Sequence, residues 1–310
     1  MRVLITGASG FLGSECLQQF KDHDHEVITT DRTGKVDLTG DLSNAVFADS
    51  LPDVDVVVNC AAVQYVTKAI PFFAREKFFT INNVLSAKYL CERYRENDTH
   101  FIHVATSMMY RQTGQGLYTT KSPMRGEGVY SRSKMAAQTY VETLPKMATV
   151  VPCIIGGKGR EGLFSQFVSM MMKFGIVVFP GNGNHVVHMV HVLDVASLIL
   201  RIAETHAVGI YNAAGPDPLS IRQWIDEIKS ELGISRVVKL SIPLFPIKCL
   251  SKFLGYRLLA REQLLMLELP HVLSIRESKA IGWEPVYSNS RIARDIAVHI
   301  RNKISSNPLK

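Results

Sequence analysis

Residues 2–13 read RVLITGASGFLG, a short apolar run that leads directly into glycines at positions 7, 10 and 13. The run predicts a buried strand, and Phe11 to Phe20 predicts a helix after the turn. Glycines at this spacing allow a tight turn, close approach of backbone to a phosphate, and close packing of helix on strand. A turn without a ligand would also accommodate glycine, but this context favours a dinucleotide site at the helix N-terminus. The expected contacts are Gly7, Ser9, Gly10, Phe11, Leu12 and Gly13.

Strand and helix patterns alternate through the first half of the chain. Predicted strands cover Arg2–Thr6, Glu26–Asp31, Asp55–Asn59, Phe101–Thr106 and Thr149–Ile155, and predicted helices include Thr80–Tyr94 and Tyr130–Leu144. This order predicts an α/β fold, a Rossmann-type doubly wound parallel sheet with a smaller C-terminal substrate-binding lobe. We assign residues 1–155 to the nucleotide-binding domain, with residues 187–213 returning to it. Residues 156–186 and 214–310 form the smaller lobe.

The composition excludes several classes of protein. With 310 residues, 46% of them hydrophobic, the chain can bury a full core and is not disordered. The net charge of +7 comes from scattered basic residues, which favours local anion sites over nucleic acid. The five cysteines form no CxxC pair, and His185, His188 and His191 would alternate between strand faces, so we expect neither disulfides nor a metal site.

Neither a targeting segment nor a membrane span is expected. Met1 is followed at once by the strand and glycine motif, which leaves no room for a signal peptide. The most apolar later stretch, Val186 to Ile202, is interrupted by histidine and charged residues and is too short to cross a bilayer. We therefore predict a cytoplasmic protein.

Asp31 and Arg32 end the second predicted strand, where an adenosine ribose would lie. The Asp31 carboxylate can accept hydrogen bonds from both ribose hydroxyls, which favours NAD over NADP. Arg32 leaves NADP possible, because a guanidinium can pair with a 2′-phosphate or stack on adenine. Asp41 and Leu42 are expected beside the adenine, although Asp41 also suits a helix cap.

Small residues follow the strand predicted over Asp55–Asn59. Cys60, Ala61 and Ala62 stand where the backbone would pass close to the cofactor. Any tight exit from a strand would use such residues, so their value depends on the neighbouring motifs.

Tyr130 and Lys134 occupy positions i and i+4 of a predicted helix and therefore share one face. A phenol with its ordinary pKa of about 10 is a poor base at neutral pH. We expect the Lys134 ammonium and an oxidised nicotinamide to lower the pKa of Tyr130, so that it can exchange a proton with a substrate hydroxyl during hydride transfer. The pattern YxxxK is common by chance and needs supporting motifs.

Thr106 supplies that support at the end of the strand predicted over Phe101–Thr106. This is the carboxyl edge of the sheet, where doubly wound folds bind ligands. The Thr106 hydroxyl can hydrogen-bond the substrate oxygen, or it can satisfy backbone groups at the strand end. Ser107 is a less suitable substitute for this role.

Taken in order, these segments resemble the NAD-dependent epimerase/dehydratase family, the extended branch of the short-chain dehydrogenases. The resemblance covers roughly residues 1–290 and includes TGASGFLG, Asp31, GDL at 40–42, NCAA at 59–62, NNV at 82–84, YSRSK at 130–134, Pro152, HVLDVA at 191–196 and IGWEP at 281–285. It implies that Thr106, Tyr130 and Lys134 form the Ser/Thr-Tyr-Lys triad and that Lys134 holds the nicotinamide ribose. It also implies cofactor contacts by Asn82 and Pro152.

Departures from the family pattern concern the substrate. Dehydratases of this family carry Asp-Glu directly after the catalytic Thr, whereas this chain has Ser107 and Met108, so we expect no dehydratase activity. Members resembling UDP-galactose 4-epimerase have Asn and Arg where this chain has Ile154 and Val187, so two contacts of a standard UDP-sugar site are missing. Lys158, Arg160 and Lys173 of the smaller lobe could supply phosphate contacts instead. The predicted substrate contacts are Ser107, Met108, Lys158, Arg160 and His185.

Three functions remain open at this point. The family resemblance favours a nucleotide-sugar epimerase or 4-keto reductase. The departures, and a likeness of the run Ile242 to Glu268 to dihydroflavonol reductases and hydroxysteroid dehydrogenases, favour a non-nucleotide alcohol or ketone as substrate. A catalytically silent binding protein is disfavoured by the intact triad. Related enzymes pair the helices at Asn82–Arg95 and Tyr130–Leu144 across a two-fold axis, which predicts a homodimer.

Overall fold

The computed structural model of the chain describes residues 1–67, 70–160, 162–257 and 259–306. The strands in these residues are β1 Arg2–Thr6, β2 Glu26–Asp31, β3 Leu38–Thr39, β4 Val56–Asn59, β5 His100–Val104, β6 Gly116–Tyr118, β7 Met147–Pro152, β8 Ile154–Gly156, β9 Ile176–Pro180, β10 Val186–Val187, β11 Met189–His191, β12 Gly209–Ala213, β13 Leu219–Ser220, β14 Val238–Ile242 and β15 His271–Leu273.

The α-helices in the same residues are α1 Gly13–Asp22, α2 Ala45–Asp49, α3 Arg75–Phe79, α4 Ser86–Tyr94, α5 Val129–Val141, α6 Leu163–Phe174, α7 Val192–Thr205, α8 Ile221–Glu231, α9 Leu244–Phe253, α10 Arg261–Met266, α11 Arg276–Ala280 and α12 Asn289–Ser306. A π-helical segment, Thr80–Leu85, joins α3 to α4, and a 3-10 turn, Ser107–Met109, follows β5. No helix in the described ranges is both long enough and apolar enough to cross a bilayer.

The main sheet of the described residues has seven strands in the order β12-β7-β5-β4-β1-β2-β3. Every pairing within it is parallel. Because the strands run in one direction, β1, β4 and β5 end at the same edge, beside the point where the winding of the sheet reverses. The predicted α/β fold with a doubly wound parallel sheet is confirmed.

Strand β1 contributes to hydrophobic layers on both faces of the sheet. Val3 and Ile5 pack with Cys16 and Phe20 of α1 on one face. Leu4 packs with residues of α4 and α5 on the other. A strand that is covered on both faces has no polar side, which is why β1 reads as a continuous apolar run.

Helices α6, α8 and α12 enclose a second core, to which they contribute Phe167, Trp224 and Ile296 among others. Strands β10 and β11 pair outside the main sheet. Strand β12 is an edge strand of the main sheet and pairs with β7. The division of the chain at residues 155, 187 and 213 stays a prediction.

The ends of two predicted strands differ from the structure. Strand β5 stops at Val104, so Thr106 lies beyond it and begins the 3-10 turn by accepting a hydrogen bond from the backbone N–H of Met108. The strand predicted over Thr149–Ile155 is two strands, because β7 ends at Pro152 and the chain then pairs through β8 with β11.

Candidate active site

A cavity of about 560 Å³ joins the glycine turn to the predicted catalytic residues. Its lining includes, from the predicted cofactor site, Gly7, Gly10, Phe11, Leu12, Gly13, Cys60, Ala62 and Pro152, and from the predicted catalytic and substrate sites, Thr106, Ser107, Met108, Tyr130, Lys134 and Arg160. Residues that are distant in the sequence therefore meet in one space at the carboxyl edge of the sheet.

The glycine turn leaves no room for side chains. A Cβ on Gly13 would lie 2.1 Å from the carbonyl oxygen of Gly7, and a Cβ on Gly7 would lie 2.9 Å from the backbone of Ala61. Gly7 also has a φ of +65°, which side chains rarely adopt. The turn thus brings bare backbone and the N-terminus of α1 to the cavity, an arrangement that fits the diphosphate of a dinucleotide.

The residues predicted around the adenosine form a connected group. Asp31 accepts hydrogen bonds from the backbone N–H groups of Ser9 at 3.1 Å and Arg32 at 2.7 Å. Arg32 in turn donates to Asn82 Oδ1 at 2.6 Å. These contacts connect the glycine turn to the end of β2, where the ribose was expected.

Asp41 and Leu42 are not among the described residues that line the cavity. Asp41 accepts a hydrogen bond from the N–H of Ser43, and Leu42 is buried. The helix-cap alternative for Asp41 is wrong, because the Asn44 side chain caps α2. Adenine contact by Asp41 and Leu42 stays a prediction.

Thr106 and Tyr130 both line the cavity, and Thr106 is close enough to affect the pKa of the Tyr130 phenol. Tyr130 is 6% exposed. Burial, followed by the negative charge of Glu262, raises the pKa of Tyr130 to about 12, although the Thr106 hydroxyl and the Arg160 charge act in the opposite direction. The protein alone therefore does not lower the pKa of Tyr130 as the sequence led us to expect.

Lys134 lies at the end of a buried polar chain. Burial lowers its pKa to about 8. Its Nζ is 3.3 Å from Nε2 of His103, and Nδ1 of His103 is 3.1 Å from the Asn59 side chain. Asn59 Oδ1 accepts a hydrogen bond from the Thr6 hydroxyl at 2.8 Å. Burial and the Lys134 charge hold the pKa of His103 well below its usual range, so its ring is neutral.

Arg160 reaches the cavity between the glycine turn and Tyr130. Its Nη2 donates to Gln64 Oε1 at 3.2 Å, and its guanidinium carbon lies 5.6 Å from the ring centroid of Phe11. No described carboxylate forms an ion pair with it, so Arg160 is suited to an anionic ligand. Lys158 and His185 are not among the described lining residues, and their substrate contacts stay predictions.

Much of the remaining cavity lining is apolar. Ile154 and Val187 are part of it, where some relatives were expected to have Asn and Arg. Further apolar lining residues are Phe164, Phe179, Met189, Ile242, Ile247 and Met266. In the described part of the chain, no three His, Cys, Asp or Glu side chains come together in a way that could hold a metal ion.

Sequence reasoning missed several residues of the site. His103 carries a weak signal, since it is one of two histidines in a strand whose other residues are apolar. Tyr65 lines the cavity, and Glu262 is buried beside the start of α5. Neither has a local sequence signal, because each reaches the site through tertiary contacts.

The sequence model of the NAD dependent epimerase/dehydratase family matches residues 3–214. The chain belongs to this family. The resemblance predicted from the motifs is therefore confirmed, and the matched region includes the glycine turn and the whole Thr106, Tyr130 and Lys134 triad.

Proteins similar in sequence to this chain include one named for glycan biosynthesis and one named as a putative UDP-glucose 4-epimerase. The low-salt glycan biosynthesis protein Agl12 of Haloferax volcanii is 25% identical over 315 residues, covering 93% of this chain and 94% of that protein. A putative UDP-glucose 4-epimerase of Methanocaldococcus jannaschii is 24% identical over 257 residues, with coverage of 74% of this chain. MoeE5 in complex with UDP-glucuronic acid and NAD superposes with a TM-score of 0.80 at 18% identity, covering 98% of this chain and 100% of that one, and shares the fold.

Proposed function

We propose that this family member is an NAD-dependent nucleotide-sugar epimerase or 4-keto reductase. The observation that carries the proposal is that Thr106, Tyr130 and Lys134 line the same cavity as the glycine turn. The names of similar proteins, which include a putative UDP-glucose 4-epimerase, support the substrate class. Ser107 and Met108 stand where dehydratases have their acidic pair, and so argue against dehydration.

The triad residues divide the chemistry among them. When bound, the oxidised nicotinamide supplies the hydride acceptor and a positive charge beside Tyr130. Tyr130 takes the substrate hydroxyl proton while the C–H bond of the same carbon breaks, and in reduction it returns a proton to the carbonyl oxygen. Thr106 donates a hydrogen bond to that oxygen, and Lys134 holds the nicotinamide ribose.

Arg160 is the side chain we assign to the anionic part of the substrate. It is a partly buried cation beside the cavity, and burial lowers its pKa. Replacing it with Met should raise KM for a sugar nucleotide at least about tenfold and leave the Kd of NAD nearly unchanged. An equal loss of NAD affinity would assign Arg160 to the cofactor instead.

Two measurements test the proposed reaction. The first denatures the purified protein and identifies any released cofactor by absorbance and mass, since an epimerase must retain NAD through both half-reactions. The second follows conversion of a panel of UDP-, GDP-, dTDP- and CDP-sugars. Stoichiometric bound NAD with conversion of one sugar is the expected epimerase result. Sugar-dependent consumption of added NADH would identify a 4-keto reductase, and no binding or conversion of any sugar would contradict the proposal.

A second candidate function is supported by the apolar part of the cavity lining, which includes Ile154 and Val187. Such a surface suits a non-nucleotide alcohol or ketone with an apolar body. This function predicts steady consumption of NADH or NADPH with a simple apolar ketone and no retained cofactor. A cofactor that is tightly retained without net turnover would count against it.

We also propose that the protein is a cytoplasmic homodimer, with α4 and α5 at the interface as in related enzymes. Helices α4 and α5 are neighbours in this structure, so both can contribute to one interface. Sedimentation at micromolar concentration should give twice the monomer mass. A monomer under those conditions would contradict the proposal.

A further inference from the structure

The catalytic helix α5 begins without a capping side chain of its own. Its N-cap residue is Gly128, which can offer only backbone. The Glu262 carboxylate of α10 supplies the missing acceptor, at 3.3 and 3.4 Å from the backbone nitrogen of Ser131. A carboxylate at this end of a helix satisfies a free N–H group and interacts favourably with the helix dipole.

Gly128 makes room for this distant cap. A Cβ at position 128 would lie 2.6 Å from Cδ of Glu262. The backbone at Gly128 has an extended conformation that other residues can adopt, so space and not conformation requires glycine here. Gly128 therefore leaves the space that Glu262 of α10 needs to cap the catalytic helix α5.

Tyr65 connects the same carboxylate to the catalytic phenol. Its hydroxyl donates a short hydrogen bond to Glu262 and accepts one at 3.3 Å from the backbone N–H of Tyr130. Its ring meets the Tyr130 ring edge-on, with centroids 5.6 Å apart. Phe79 packs against both rings and completes the group. The Tyr130 side chain therefore packs against the Tyr65 ring, and the hydrogen bond to Glu262 fixes the position of that ring.

Helix α10 also contributes to the lining of the cavity. Gln263 and Met266 line the cavity, whereas their neighbour Glu262 is only 1% exposed and faces the catalytic helix. A ligand that contacts Gln263 or Met266 therefore acts on the helix that holds the start of α5. Glu262, which contacts the start of α5, and Gln263, which lines the cavity, are consecutive residues of α10.

We infer that Glu262 is a positioning residue that aligns Tyr130 through the start of α5 and through Tyr65. The inference rests on the function proposed above. The charged and titratable groups that interact with Tyr130 are Glu262, Tyr65 and Arg160, and Lys134 lies one turn further along α5.

Three variants test separately the charge of Glu262, its hydrogen bonds and the hydroxyl of Tyr65. Glu262→Gln keeps the shape and one acceptor oxygen but removes the charge, and Glu262→Ala removes both. Tyr65→Phe keeps the ring against Tyr130 and removes its hydroxyl. The matched control is Glu268→Gln, two residues beyond α10, because Glu268 forms an ion pair with Lys248 outside the cavity lining.

The first experiment needs no substrate. Tyrosinate absorbance of each NAD-saturated protein is followed against pH, and the matching curve of a Tyr130→Phe background is subtracted. Glu262→Gln should move the Tyr130 midpoint to lower pH by on the order of one unit, because a nearby negative charge disfavours the phenolate. Glu268→Gln should leave it in place. An unchanged midpoint in Glu262→Gln overturns the inference, whether or not a substrate has been found.

The second experiment uses turnover of a substrate identified as above. Glu262→Ala should lower kcat about 10- to 100-fold with the Kd of NAD unchanged, because a small misplacement of a catalytic group is costly. Glu262→Gln should recover much of kcat, and Tyr65→Phe should add little to the loss in Glu262→Ala. If the loss of kcat in Glu262→Ala only matched the loss of folded protein, Glu262 would have a structural role alone. Wild-type protein without turnover would instead contradict the proposed function.

Discussion

The Nζ atom of Lys134 lies 3.3 Å from Nε2 of His103, and both side chains are almost fully buried. Because the pKa of His103 is held well below its usual range, its ring is neutral, and it brings no negative charge to offset the ammonium. The lysine that is expected to hold the cofactor is therefore buried at a cost in the free energy of folding. We therefore expect cofactor binding at Lys134 to offset part of this cost.

We predict that Lys134→Met stabilises the protein without cofactor. Burial lowers the pKa of Lys134 from 10.5 to about 8, a difference that corresponds to about 3 kcal/mol. This cost is fully present below pH 8, where both states are protonated, and it disappears as pH rises to the unfolded pKa. Urea unfolding should show the variant more stable at pH 7, with a difference that shrinks between pH 8 and 10.5. Exposed Lys121→Met is the control, and a difference independent of pH would contradict the prediction.

Tyr130→Phe should lower kcat by about 10²- to 10⁴-fold, because it removes the group that exchanges the proton. The Kd of NAD should stay nearly the same, since the ring still fills its place beside Tyr65 and Phe79. Stopped assays of turnover and titration of NAD binding by fluorescence measure the two quantities. Tyr140→Phe removes a hydroxyl from the same helix outside the cavity lining and is the control. A Tyr130→Phe enzyme with the wild-type rate would refute the assigned role.

Asp31→Asn should weaken NAD binding by about tenfold and improve the relative affinity for NADP, because the negative charge that would face a 2′-phosphate is lost. Arg32 remains beside it, held by Asn82 at 2.6 Å. Calorimetric titration with both cofactors gives the ratio of the two Kd values. The exposed Asp49→Asn, in α2, controls for the change in net charge. If the ratio did not change, Asp31 would have no part in selecting the cofactor.

Gly13→Ala should abolish measurable cofactor binding, since the new Cβ would lie 2.1 Å from the Gly7 carbonyl oxygen and the turn would have to open. We expect a loss of about 1–3 kcal/mol in the free energy of unfolding from the same clash. Thermal unfolding with and without NAD measures both effects. Ser14→Ala changes the next residue of α1, which is exposed, and should leave both quantities near the wild-type values. A Gly13→Ala protein that binds NAD normally would contradict this account of the turn.

The sequence by itself was sufficient for the features that depend on short stretches of chain. The apolar run of β1, the glycines of the turn and the shared face of Tyr130 and Lys134 follow from local conformation and helical periodicity. The order of strands and helices then determined a doubly wound sheet, and with it the edge at which the site would form. The family and the main catalytic candidates were accessible at that level.

Only the tertiary structure decided the environment of those candidates. Glu262 is far from Tyr130 in sequence, yet its charge and the burial of the ring raise the pKa of Tyr130 to about 12. His103 of β5 lies beside Lys134 of α5 because the two elements meet near the carboxyl end of β5, and no periodicity in either segment indicates that contact. A pKa depends on desolvation and on every nearby charge, and these are set by how distant segments pack rather than by local sequence.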